Sequence, residues 1–179
     1  MPICTILLAV VLALNPPPAI RAIDPAKSKV QFSVTHVFVD HVIGVVPVLR
    51  GAVTLENGSA VPTNVTAVLD ATKLATDDRD RNGVLQSPDW FDTAKFPTWT
   101  FASTKITLSS DGTFTMDGSL TIHGVTQPER LAVTIGGTPA NPTYHAAGRI
   151  DRHAFGMQVT RLDPAIGNPV DVTLDVTLK

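Results

Sequence analysis

Side chains able to ligate a metal, attack a substrate or carry a proton are scattered through the 179 residues rather than grouped. His36 and His41 lie five apart across an expected strand end, and His123, His145 and His153 fall in three other segments. With no HxxxH or HxH spacing among them, no metal site is expected. Serine, histidine and aspartate are plentiful, but no G-x-S-x-G elbow, Gly-rich phosphate loop or pair of carboxylates in an apolar setting organises them. No catalytic residue or cofactor is therefore assigned, and the chain is not expected to be an enzyme. Arg81 offers a fork of donors suited to a phosphate or carboxylate. Asp77, Asp78, Asp80 and Asp89 lie near it in sequence, so a structural ion pair competes with that use and is the favoured one.

The densest chemical feature is apolar. Trp90, Phe91, Phe96, Trp99 and Phe101 fall within one stretch of a chain that is 6% aromatic overall. Ser87, Pro88 and Asp89 read as N-cap, first helical residue and first-turn acid, which predicts a helical turn starting at Trp90 and Phe91 and ended by Pro97. The helical insertion as a whole is expected around residues 79–94. Thr98 to Phe101 then alternates as a strand, so Trp99 and Phe101 share one face. The long 72–97 connection makes these aromatics either a plug beneath a loop or part of the wall of a ligand space.

Elsewhere the dominant period is two. Phe114, Met116, Gly118, Leu120 and Ile122 alternate with polar residues, as do Val170, Val172, Leu174, Val176 and Leu178, which marks half-buried strands with these side chains inward. Less strict runs near 28–39, 42–56, 63–71, 98–108, 129–136 and 143–150 bring the expected number to about eight. Asn57-Gly58 and Asp111-Gly112 are hairpin signals, because both pairs tolerate positive φ. Eight short antiparallel strands can stack as a sandwich or close as a barrel. A barrel is favoured by the lack of a Cys and Trp pair of immunoglobulin type and by the polar outer face that the last strand keeps to its end.

The length fits a single domain with a sizeable core. Ile3 to Leu14 is an apolar run broken by Thr5 and followed by Asn15 and three prolines, too short to span a bilayer and suited to a signal-peptide core. The expected division is a leader over 1–22 and a mature domain over 23–179, periplasmic or secreted. The cut would remove Cys4, the single cysteine, so no disulfide or thiolate site is expected. A net charge of −2 with no basic run excludes nucleic acid and an anionic membrane surface as expected partners, and no stable membrane insertion is expected.

Four segments, Val30-Gln-Phe-Ser-Val-Thr-His36, Arg81 to Phe101, Gly118 to Pro128 and Gly148 to Met157, resemble the YceI-like family of bacterial periplasmic proteins, and the resemblance covers nearly all of the mature chain. It implies an all-β, eight-stranded antiparallel lipocalin-like barrel. Its apolar tunnel would hold a long-chain isoprenoid, such as an isoprenoid quinone or polyprenyl phosphate, or another amphiphilic lipid. On that basis Phe32, Val34, Trp90, Phe91, Phe101, Phe114, Met116, Leu120, Leu131, Val133, Phe155, Val172 and Leu174 are expected to line the tunnel. Arg81 and His36 are candidates for the lipid head group. The family's Arg-Asp-x-His-Leu stretch stands here as Arg81, Asn82, Gly83, Val84 and Leu85, so no role of its acid or histidine carries over. His123-Gly124-Val125-Thr126 matches a family hairpin, and Arg152 with Phe155-Gly156 matches its Arg-x-x-Phe-Gly segment. The resemblance leaves open a homodimer, action on an amphiphile as an enzyme or chaperone, and a solid-core barrel that binds a protein.

Overall fold

The computed structural model describes residues 17–36, 40–56, 58–157 and 165–179. The apolar run of the expected leader lies outside them. The strands are β1 (Ala19–Ala22), β2 (Lys29–His36), β3 (Asp40–Val45), β4 (Val48–Leu55), β5 (Pro62–Asp70), β6 (Ala75–Thr76), β7 (Thr98–Leu108), β8 (Phe114–Ile122), β9 (Val125–Thr138), β10 (Asn141–Asp151) and β11 (Ile166–Thr177), with the helix α1 (Arg79–Gln86) between β6 and β7. All pairings are antiparallel, in the order β1-β4-β5-β7-β8-β9-β10-β11-β2-β3-β6.

The sheet closes because β3 and β4 are one stretch of chain bent at Val46-Pro47. Its first half pairs with β2 and its second with β5. Pro47 has no N–H to extend a ladder, which accounts for the break. The bend stays tied on both sides, Val46 N donating to Val30 O at 3.0 Å and Asp70 N to Pro47 O at 2.9 Å. Beyond it, β1 runs along β4, and Ile23 bridges Leu178. Asp24 N donates to Thr177 O and Lys179 N to Ala22 O, at 2.8 and 2.9 Å. The result is the expected all-β barrel. Its strand count rises to eleven because the 42–56 run is split at Pro47 and because β1 and β6 are short additions.

One addition bears on the expected leader. Ala19–Ala22, inside the 1–22 segment, forms β1, and the Arg21 guanidinium donates to Lys179 O at 2.8 Å and Ala140 O at 2.7 Å. A cut after Ala22 would remove this strand.

Cross-strand register places the alternating apolar residues together on the inner face. Phe114 stands opposite Val133, Met116 opposite Leu131, Leu174 opposite Ala146 and Val30, and Val172 opposite Phe32. Between β8 and β9, His123 (φ 53) and Gly124 (φ 75) form a two-residue turn, as the hairpin match implies; left-handed dihedrals at both positions suit the twist of the flanking strands. Gly112 likewise takes φ 82 at the expected Asp111-Gly112 turn. Asn57 lies outside the described residues.

The helix differs from expectation. Asp78, not Ser87, is its N-cap, with Oδ1 accepting from Asp80 N at 2.8 Å and Arg81 N at 3.0 Å. Ser87 ends the helix, its hydroxyl donating to Val84 O at 2.7 Å. From there the chain turns back through Trp90 N and Asp92 N, both donating to Ser87 O, so Trp90 and Phe91 lie in turns rather than a helix. A helix begun at Pro88 would be interrupted at Asp92, whose φ of 42° lies in the left-handed region. The turns instead fold Trp90 inward.

Candidate functional site

The barrel encloses an apolar cavity with about 1120 Å³ of empty space, part of it open to solvent. Among the expected tunnel residues, Phe32, Phe101, Phe114, Met116, Leu120, Leu131, Val133, Val172 and Leu174 line it. A smaller space of about 570 Å³ adjoins it under the 72–97 connection, and Val34, Trp90 and Phe91 line that one. Phe32, Trp99, Ile122, Ile150 and Val172 border both spaces and form the partition between them. Phe155 lines neither. It is fully buried in a second core cluster with Trp99, Ile122 and Met157.

Two glycines shape the main cavity. A Cβ on Gly118 would stand 2.3 Å from the Phe101 ring, and one on Gly44 would stand 2.1 Å from the Phe32 ring. Both rings therefore lie flat on the sheet where a neighbour has no side chain, which leaves the lumen open. Trp99 packs against Phe91 with ring centroids 4.7 Å apart, and its Nε1 finds no acceptor among the described residues.

Neither head-group candidate lines a cavity. Arg81 projects from the first turn of α1 and donates to Asp77 Oδ1 at 2.7 Å, the structural ion pair favoured on sequence grounds. His36 ends β2 opposite Asp40. The other histidines are equally dispersed: His123 meets the Phe96 ring edge-on in the β8–β9 turn, and His145 contacts Asp175 on the outer face. No group of three or more His, Cys, Asp and Glu able to hold a metal occurs among the described residues.

Polar groups that the sequence analysis did not assign stand at the cavities instead. Arg152 is 3% exposed and lines the smaller space, with Nε donating to Gly167 O, Nη1 to Met157 O and Nη2 to Ile166 O at 2.9, 2.6 and 2.8 Å. Its guanidinium also lies 6.0 Å from the Trp90 ring centroid. Its motif was legible, but its burial was not, because two of the three carbonyls it binds, those of Ile166 and Gly167, come from the start of β11. Tyr144 lines the main cavity and donates to Ala60 O at 2.9 Å; burial pushes its hydroxyl up to about 12. Glu129 lines the same cavity from β9. Burial raises its carboxyl above the ordinary range, and the charge of Asp151 adds to the effect. Extending the inward parity of Leu131 and Val133 back by two residues would have found it.

The barrel fold is shared with solved proteins of low sequence identity. BcnA of Burkholderia cenocepacia superposes with a TM-score of 0.78 at 21% identity over 88% of this chain and 99% of that one. A polyisoprenoid-binding domain from Saccharophagus degradans, implicated in plant cell wall breakdown, gives 0.68 at 14% identity over 91% and 99%. In sequence, the chain is 28% identical to protein YceI of Escherichia coli across 82% of its own length and 78% of the relative's. A UPF0312 protein of Vibrio vulnificus is also 28% identical, across 76% and 72%. The YceI-like domain profile matches residues 22–178, from the end of β1 to the last bridge of the barrel. With both the β-barrel and nearly its whole length accounted for in this way, the chain belongs to the YceI-like domain family.

Proposed function

We propose that the protein carries or sequesters a long-chain isoprenoid or comparable amphiphile in its barrel, as a soluble exported protein of the periplasm. The observation that carries this reading is the apolar cavity, lined by side chains from most strands of the barrel wall and separated from a second apolar space by residues that border both. Burial contributes roughly 0.8 kcal/mol per CH₂, so a chain of several isoprene units gains enough to offset the cost of ordering it. The likeness to a polyisoprenoid-binding domain supports the ligand class. Export is supported by the apolar Ile3 to Leu14 run, with removal of the leader ahead of Ala19 so that β1 is retained.

The test is a mass spectrum of organic extracts from protein purified from its native host without detergent. A stoichiometric long-chain amphiphile is expected. Extracts containing no lipid, from protein that also takes up none when it is offered, would contradict the reading.

A further inference from the structure

Glu129 is the acid whose side chain belongs to the inner face of β9, since its burial parity matches Val125, Gln127, Leu131 and Val133. It stands opposite Gly118 of β8, which contributes no side chain, and it shares the cavity wall with Leu131 and Ile150. The neighbouring arginines are engaged elsewhere. Arg130 pairs with Asp117 at 2.6 Å on the outer face, and Arg149, which borders the same cavity as Glu129, gives its Nε to Asp171 at 2.7 Å. Among the described residues no hydrogen bond or ion pair joins the Glu129 carboxyl to another side chain. The nearby charge that acts on it is Asp151, which is also negative. A half-buried carboxyl kept at an apolar wall costs stability unless something in the cavity answers it.

We propose that Glu129 selects the polar end of the ligand: the cavity takes amphiphiles ending in a hydrogen-bond donor, such as a hydroxyl or an amine, and disfavours those ending in a phosphate or carboxylate. This rests on the carrier reading above and narrows it. A carboxylate accepts hydrogen bonds through both oxygens, and an ammonium adds charge attraction. A second anion brought against it is repelled, and the low dielectric of an apolar wall strengthens that repulsion. If an anionic end were preferred, it would lie instead beside Arg149, which borders the main cavity, or Arg152, which borders the smaller space.

Delipidated full-length protein is titrated at pH 8, by tryptophan fluorescence, with four C20 probes that share one prenyl chain: geranylgeraniol, geranylgeranylamine, geranylgeranyl phosphate and geranylgeranoic acid. The alcohol and amine are expected to bind about ten-fold or more tightly than the phosphate and acid. Glu129→Gln should reduce that gap to about three-fold or less, chiefly by tightening phosphate binding. Equal binding of all four probes, a preference for the phosphate, or an unchanged gap in the variant would each overturn the assignment to Glu129 while leaving the carrier reading intact. Binding of none would overturn the carrier reading itself. If the variant fails to fold, the rank order in the wild-type protein decides.

Discussion

Single positions in this barrel have effects that follow from which face they occupy. Leu120 lines the cavity, whereas Thr121 beside it shares a hydroxyl hydrogen bond with Thr126 at 2.8 Å. Leu120→Asp should therefore unfold the domain or abolish ligand uptake, while Thr121→Asp should cost about 1 kcal/mol or less. Chemical denaturation of the two variants checks this, and equal tolerance would mean the register is wrong. Gly118→Ala should drive the Phe101 ring off the sheet and into the lumen, at a cost of about 1–3 kcal/mol from overpacking, and should shorten the longest chain the cavity accepts. Glu129 carries a pH signature as well. Its native carboxyl is raised, so the folded state binds the proton more tightly than the unfolded chain does, and stability falls as pH rises from below 4.5 through the folded value. Glu129→Gln should thus raise Tm at pH 7 to 8 and leave it unchanged at pH 3.5. A wild-type advantage at neutral pH would contradict a burial-raised carboxyl.

At the level of elements, alternation made most of the barrel legible. The runs at 98–108, 143–150 and 170–178 correspond to β7, β10 and β11, and the His123-Gly124 turn stands where its dihedral demands place it. What alternation does not encode is where a strand bends or which of two caps wins. The 42–56 run reads as one strand, and its break at Pro47 shows only when β2 and β5 are seen to take different halves of it. Ser87 has the chemistry of an N-cap, yet Asp78 holds two helix N–H groups and leaves Ser87 to end the helix. The site was legible to the same degree. Inward apolar residues were found by parity, whereas Arg81 drew attention by its charge and lies outside both spaces, and Glu129 went unassigned because a charged residue at an inward position runs against the pattern. β1 leads to a prediction of its own. Because Arg21 ties this strand to Lys179 and Ala140, removal of the leader proposed above should leave a chain that begins between residues 15 and 19. Intact-mass analysis of protein from the native host would show this, and a start at Ile23 would mean the barrel closes without β1.

For the whole molecule, the carrier reading proposed above makes the barrel, its aromatic connection and the partition between two apolar spaces one device for shielding a hydrocarbon chain from water. Its affinity should come from burial, so salt should matter little, since screening weakens charge-dominated binding and leaves burial largely untouched. Length should matter a great deal. The most direct measurement is a titration of delipidated protein with prenyl alcohols that grow by one isoprene unit at a time, followed through Trp90 and Trp99, which both border the smaller space. Binding should tighten by about ten-fold or more per added unit, well within what roughly 0.8 kcal/mol per buried CH₂ allows, and then level off once the cavity is full. Affinity independent of chain length, or falling steeply with added salt, would contradict a protein built to hold a lipid chain.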